Sequence, residues 1–365
     1  MNPKRTVLLN PGPVNISERV RSALAKPDLC HREPDFFDLQ DRIRRGLLDL
    51  FGLDPSRYAA VLITGSGTAA LEAAVSSSPS PGKGMVVINN GVYGERIAAI
   101  AKIHGIPVKQ VVSEWGAAPD LSAVEQAVRE FREAEIVAVV HHETTTGLIN
   151  PVNEVGDIAR RHGKRLLVDT VSGLGGEAYD FEKNGAALTV CTANKCLQGV
   201  PGIAFVIATR EELEREKHTA ERTFYLNLVR YFLEQESRGT PFTPSVQAAY
   251  AFDAAIEETK EETVAGRIAR YRRASAFLRK GFKDLGLDLM LRPELLSNTI
   301  TTLHLPKGRT YEALHDHMRD AGFVIYAGQG GLKKRFFRIA NMGWITEDEL
   351  AGCLEALGEF AAGRS

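Results

Sequence analysis

Between residues 58 and 208 the chain repeatedly alternates short apolar runs with longer amphipathic stretches. The runs are Ala59–Thr64, Gly84–Asn89, Pro107–Val112, Ile136–His141, Arg165–Asp169, Leu188–Thr192 and Ile203–Ala208. Several are apolar continuously rather than at every second residue, as strands covered on both faces require. Between them, Thr68–Ser77, Gly94–His104, Leu121–Glu133 and Val152–His162 carry helical periodicity. That order predicts an α/β fold on a mostly parallel seven-stranded sheet, with ligands expected outside the carboxyl ends of the strands.

Beyond the sheet the pattern changes. Arg210–Leu233 and Val246–Leu285 read as long, charge-rich helical stretches, interrupted by Gly239-Thr-Pro-Phe-Thr-Pro244. The second is long enough for a single helix bridging two domains. Residues 288–365 mix strands (Thr299–Leu305, Val324–Tyr326, Phe336–Ile339) with helices (Tyr311–Ala321, Glu347–Ala362), a smaller α+β domain. The expected division is residues 16–260 for the large domain and 261–365 for the small one, with residues 1–15 packing near the active site.

Composition narrows the function classes. At 365 residues and 44% hydrophobic, the chain can bury a sizeable core. A formal charge of −1 without a basic stripe argues against nucleic acid and against an anionic membrane surface. No segment approaches the roughly 20 apolar residues of a membrane span, and the N-terminal residues lack a signal-peptide run, so the expected location is cytoplasmic. Cys30, Cys191, Cys196 and Cys353 are spread without a C-x-x-C pair, so reduced thiols and no metal are expected.

Three strand ends carry chemistry. Thr64 leads into Gly65-Ser-Gly-Thr68 and then a helix, where glycines allow close backbone approach and the helix start offers free N–H groups to a phosphate. The same four residues also make ordinary capped turns. Asp169 closes Lys164-Arg-Leu-Leu-Val-Asp169, and Lys195 follows Ala186-Ala-Leu-Thr-Val-Cys191 within Thr192-Ala-Asn-Lys-Cys-Leu-Gln-Gly-Val-Pro-Gly202. Alone, the aspartate reads as a turn residue and the lysine as a solvated one. Together with the phosphate cup they supply what pyridoxal phosphate needs: an acid for the pyridinium nitrogen and an amine for the aldehyde. Lys195 would also serve as the base that moves the substrate proton, which requires a lowered pKa.

These residues carry a resemblance. Leu8-Leu-Asn-Pro-Gly-Pro13, His31-Arg-Glu33, Asn90-Gly-Val-Tyr-Gly-Glu-Arg96, His142-Glu-Thr-Thr-Thr-Gly147, Ala193-Asn-Lys-Cys-Leu-Gln-Gly and Phe337-Arg-Ile-Ala-Asn-Met-Gly343 make the chain similar to fold-type I pyridoxal-phosphate enzymes of the class V aminotransferase group. The resemblance implies roles: Ser66, Gly67 and Thr68 on the phosphate, Tyr93 stacked on the ring, and Thr144 or Thr145 on the ring hydroxyl. It also implies Arg338 on the substrate carboxylate, with Gly12 and Arg32 in the substrate pocket, and Thr240 or Thr243 reaching the cofactor of a neighbouring subunit in a homodimer with shared sites. Lys333 and Arg335 are further candidates for an anionic substrate. The implied reaction is ping-pong transfer of the amino group of 2-aminoethylphosphonate to pyruvate.

Departures from the family pattern bear on the donor: His142 where cysteine is expected, Thr170-Val-Ser-Gly-Leu-Gly-Gly176 for a Ser-Ser-Phe-Gly run, and Tyr326-Ala-Gly-Gln329 for a Pro-Gly-Lys run. A relative using a modified aminophosphonate, or alanine or serine with glyoxylate, is the alternative. A lyase or desulfurase would usually carry histidine before the lysine, and here Asn194 stands there. A non-enzymatic α/β binding protein is the remaining reading.

Overall fold

The protein is described by a computed structural model covering residues 5–363. In chain order, β1 (Val7–Leu8), α1 (Glu18–Ala23) and α2 (Pro34–Leu50) precede β2 (Tyr58–Gly65), α3 (Gly67–Ser77), β3 (Gly84–Asn89), α4 (Val92–Ile103), β4 (Val108–Val112) and α5 (Leu121–Glu130). Then come β5 (Ala134–Val140), β6 (His142–Glu143), β7 (Leu148–Ile149), α6 (Val152–Arg161), β8 (Arg165–Asp169), α7 (Phe181–Asn184), β9 (Ala186–Thr192) and β10 (Gly202–Thr209). Helices α8 (Arg210–Glu216), α9 (Leu228–Glu236), α10 (Val246–Glu262) and α11 (Val264–Asp284) lead into β11 (Ile300–His304), α12 (Tyr311–Asp320), β12 (Phe323–Val324), β13 (Tyr326–Ala327), β14 (Phe336–Ala340) and α13 (Glu347–Ala361).

The seven apolar runs form one sheet in the order β2-β10-β9-β8-β5-β3-β4. Only β10 runs against its neighbours, antiparallel to both β2 and β9. Alternation along each strand sends side chains to opposite faces. Thus Val61 and Ile63 pack with α3, α4 and α9, while Ala60 and Leu62 pack with α2 and α10. On the second face Val86, Val137 and Val168 lie under α5 and α6. Each fully buried Val, Leu or Ile contributes about 1.5–3 kcal/mol, which is why runs apolar on both faces settle here.

A smaller three-stranded sheet, β11-β14-β13, is antiparallel and packs on α11, α12 and α13 around Phe282, Leu303, Met318, Phe337 and Phe360. The N-terminal strand joins this unit: β1 pairs parallel with β12, and Ala340 N–H donates to the Leu9 carbonyl at 2.9 Å. Residues 10–13 thereby run between the small sheet and the edge of the large one.

Two helical expectations need correction. Arg210–Leu233 is two helices, because the first ends at Glu216 and a new one starts where the Asn227 side chain caps Arg230 N–H at 3.0 Å. Val246–Leu285 is likewise broken at Thr263, whose φ of 63° leaves the helical region and whose hydroxyl caps Gly266 N–H at 3.0 Å. The hydroxyl bond offsets part of the strain of a left-handed φ at a β-branched residue. No described helix is long and apolar enough to cross a membrane.

Candidate active site

The carboxyl edge of the large sheet opens on a cavity of about 180 Å³ lined by Ser66, Gly67, Thr68, Tyr93, Arg96, Asp169, Asn194 and Lys195 among others. It is built from the ends of β2, β8 and β9 and from the start of α4. Strand β2 delivers Ser66 as the N-cap of α3. The Ser66 side chain makes no capping bond, which leaves the first N–H groups of α3 turned outward with the positive end of the helix dipole. Gly67 has to be small: a Cβ there would meet the Val171 methyls at 2.9 and 3.0 Å.

Asp169 ends β8 at 3% exposure. Its Oδ1 accepts Val171 N–H at 2.9 Å, and among the described residues no donor reaches Oδ2. Burial pushes this carboxyl up to about 6, against the pull of Val171 N–H, Arg96 and Lys195. A cation beside Oδ2 would hold it ionised.

Lys195 lies in the short connection from β9 to the antiparallel β10, so both ends of its loop are anchored in the sheet. Gln198 holds φ at 61° and donates through Nε2 to Tyr271 Oη at 2.7 Å and the Gly343 carbonyl at 3.1 Å. The Arg267 guanidinium donates to the Cys196 carbonyl at 3.3 Å. Lys195 Nζ donates to the Pro11 carbonyl. Burial lowers the amine to about 8, with Arg338 and Arg96 lowering it further and Asp169 opposing them. At pH 7 roughly one such amine in ten is neutral, against fewer than about one in a thousand for an ordinary lysine. Gly12, at φ 106°, lies flat against this side chain: a Cβ would fall 2.5 Å from Nζ.

The turn between β6 and β7 separates the two threonines that the sequence left as alternatives. Thr145 is consumed by structure: its hydroxyl donates to Glu143 Oε1 at 2.5 Å and accepts Val92 N–H at 3.0 Å. Thr144 Oγ1 is buried with no partner, while its carbonyl accepts from Arg338 at 2.8 Å. Glu143 also takes Tyr93 and Gly94 N–H at 3.2 and 3.3 Å, tying the start of α4 in place, and burial lifts it to about 7.

Arg338 sits in β14 at 3% exposure. Its Nε donates to the Ala327 carbonyl at 3.0 Å, yet among the described residues no carboxylate forms an ion pair with it. A buried guanidinium held only by carbonyls retains its charge for an anion. Arg338 also lowers the Lys195 amine, which places the two within electrostatic reach.

Other expected residues do not converge here. Arg32 is exposed in the turn before α2, does not line the cavity, and makes no side-chain hydrogen bond or ion pair among the described residues. Lys333 and Arg335 are exposed. Thr240 and Thr243 line a separate cleft beside Thr64, where Thr240 bonds the Phe242 carbonyl at 2.9 Å and Thr243 is exposed without a hydrogen bond among the described residues. Arg96, Asn194 and Glu143 were missed as site residues. The spacing of Tyr93 and Arg96, three apart on one helix face, was a signal for the first. Among the described residues no cluster of three or more His, Cys, Asp or Glu side chains is arranged to hold a metal ion.

Comparison with known proteins places the chain in a family. The family model described as "Aminotransferase class-V" matches residues 27–331. A 2-aminoethylphosphonate–pyruvate transaminase of Vibrio cholerae is 36% identical over 357 residues, covering 96% of each chain. One of Phocaeicola vulgatus is 33% identical, covering 97% of this chain and 99% of its own. Among solved structures, an alanine–glyoxylate aminotransferase from Nostoc sp. superposes with a TM-score of 0.92 at 26% identity, over 98% of this chain and 96% of the other.

Proposed function

The chain belongs to the class V aminotransferases, and on that premise we propose that it moves the amino group of 2-aminoethylphosphonate to pyruvate, giving phosphonoacetaldehyde and alanine, with pyridoxal 5'-phosphate held at the carboxyl edge of the large sheet. The residues present fit that group. The open N–H groups of α3 suit the phosphate, the unpartnered Oδ2 of Asp169 suits a ring nitrogen, and the orphaned Thr144 hydroxyl suits the ring hydroxyl. Tyr93, in the cavity wall, offers an aromatic face to the ring. When bound, the cofactor would supply an electron sink for the carbon that loses its proton.

The protein's own groups do the rest. Asp169 Oδ2, left open while Oδ1 accepts Val171 N–H, would hold a ring nitrogen of the bound cofactor in its protonated form. Lys195 Nζ, lowered to about 8 and steered by the Pro11 carbonyl, is neutral often enough to accept the substrate proton and return it one position away. Arg338 grips phosphonate in one half-reaction and carboxylate in the other, since its planar fork fits either anion. Gly12 keeps backbone close to the amine and limits solvent around it.

In this reading residues 16–260 form the cofactor-binding domain, residues 261–365 the small domain, and the working unit is a homodimer. Thr243, exposed with no hydrogen bond among the described residues, is better placed than Thr240 to complete the phosphate cup of a second copy.

The observation that carries the reading is the convergence of Asp169, Lys195 and the α3 N-terminus in one cavity near an unpaired, buried Arg338. The test is the visible spectrum of the loaded protein during single half-reactions. 2-Aminoethylphosphonate should abolish the starting band and pyruvate restore it, faster than alanine, serine or 2-amino-1-hydroxyethylphosphonate act as donors. No spectral response to any aminophosphonate would remove the proposed substrate.

A further inference from the structure

Resting on the cofactor reading above, we propose that Arg96 is the cation of the phosphate cup, donating to the cofactor phosphate and holding Thr68 and Tyr93 in position for it. Arg96 lies in the third turn-position of α4 after Tyr93, and its side chain enters the wall of the cavity. One guanidinium nitrogen, Nη1, donates to Thr68 Oγ1 at 3.0 Å, and the guanidinium carbon is 4.6 Å from the centre of the Tyr93 ring. Thus one side chain touches both the cup and the expected stacking residue.

Its charge is committed to no ion pair among the described residues, although the Asp169 carboxyl lies within its electrostatic reach. Among the described residues Arg96 makes no ion pair, although 27 such contacts occur elsewhere in them, and its only side-chain hydrogen bond there is to a neutral hydroxyl. A half-buried guanidinium with no carboxylate at ion-pair distance among the described residues, beside the outward N–H groups of α3, is arranged for an anion. The glycine-serine-glycine turn lacks the lysine that a nucleotide-binding loop places on its phosphates, and Arg96 supplies a cation from the neighbouring helix instead. It also accounts for the Thr68 hydroxyl: as an acceptor from Arg96, that oxygen has its own hydrogen free to donate to a phosphate.

The experiment compares binding of pyridoxal 5'-phosphate with binding of pyridoxal, which lacks the phosphate, to the full-length protein freed of cofactor, followed by Trp115 and Trp344 fluorescence. Arg96→Gln should weaken pyridoxal 5'-phosphate on the order of 30-fold, about 2 kcal/mol, and leave pyridoxal within about threefold. Arg96→Lys keeps the charge without the fork and should recover part of the loss, which shows that the site still folds. Equal weakening of both ligands, or none of either, overturns the role on the phosphate. Failure of the unaltered protein to bind pyridoxal 5'-phosphate overturns the cofactor reading as well. Tight cofactor binding without turnover of 2-aminoethylphosphonate removes the substrate reading alone and leaves the role of Arg96 standing.

Discussion

Replacing each of two adjacent threonines by valine, an isostere without the hydroxyl, should have opposite consequences. In Thr145→Val, Val92 N–H loses its acceptor and Glu143 Oε1 loses a short donor, both in buried surroundings. A stranded N–H costs about 1–3 kcal/mol and a lost hydrogen bond to a carboxyl group a similar amount, so the cofactor-free protein should lose about 2–6 kcal/mol. In Thr144→Val the deleted hydroxyl has no partner, and the carbonyl that accepts from Arg338 remains. Its stability without cofactor should stay within about 0.5 kcal/mol of the parent, because a desolvated, unsatisfied oxygen is removed. Its cost should instead fall on the cofactor, roughly fivefold in affinity for one lost neutral hydrogen bond of about 1 kcal/mol. Urea unfolding of the cofactor-free variants, followed by circular dichroism, measures the first pair of values, and fluorescence titration the second. Equal destabilisation by the two substitutions, or a larger loss in Thr144→Val, would refute the assignment of one hydroxyl to structure and the other to the ligand.

Arg338→Gln removes an unpaired buried cation, so the cofactor-free protein should be no less stable than the parent, while kcat/KM should fall about 10- to 100-fold for both the phosphonate and the carboxylate substrate. A fall for only one of the two would contradict a shared anion grip. Gly12→Ala, at φ 106° and with its Cβ against Lys195 Nζ, should cost about 1–2 kcal/mol in backbone strain and lower turnover more than tenfold by moving the amine; unchanged turnover with normal stability would show that the contact is slack. Glu177, lifted to about 8 by burial while its Oε1 accepts Asn298 N–H at 2.6 Å, binds its proton more tightly in the folded chain than in the unfolded one. Its contribution is therefore complete below about pH 4.5 and is lost as pH rises toward 8. Glu177→Gln should flatten the stability–pH curve across that interval, and an unchanged slope in urea titrations at several pH values would count against it.

Much of this could be read from residues alone because the large sheet is buried on both faces. Met85–Ile88 and Leu166–Val168 are unbroken apolar runs, and the strands that contain them form at Gly84–Asn89 and Arg165–Asp169, to the residue. Helix ends were less legible. The breaks at residues 217 and 263 involve neither glycine nor proline; Asn227 and Thr263 act through side-chain caps that compete locally with helix continuation. Asp169, Lys195 and the α3 cup were found because strand ends in such sheets are where ligands gather. Burial could be read only in part: Arg338 lies within Phe336–Ala340, where an arginine in an apolar run is the trace of an enclosed charge, whereas Arg32 stands among His31, Glu33 and Asp35 and is exposed. Distinguishing Thr144 from Thr145 required the hydrogen bonds themselves.

The strand order has a metric consequence. From the aspartate on β8 to the cup on β2 there are three steps, through β9 and β10. At about 4.8 Å per step the hydrogen-bond lattice sets the lateral span at about 14 Å, with Lys195 emerging within it. That span is independent of loop length. Residues added to the crossovers that enclose α4, α5 or α6 would enlarge the outside of the molecule and leave this interval unaltered. Loss or gain of a strand between β2 and β8 would change it by a whole step. The working distances of the site are thus graduated by the sheet, while the connections remain free to vary.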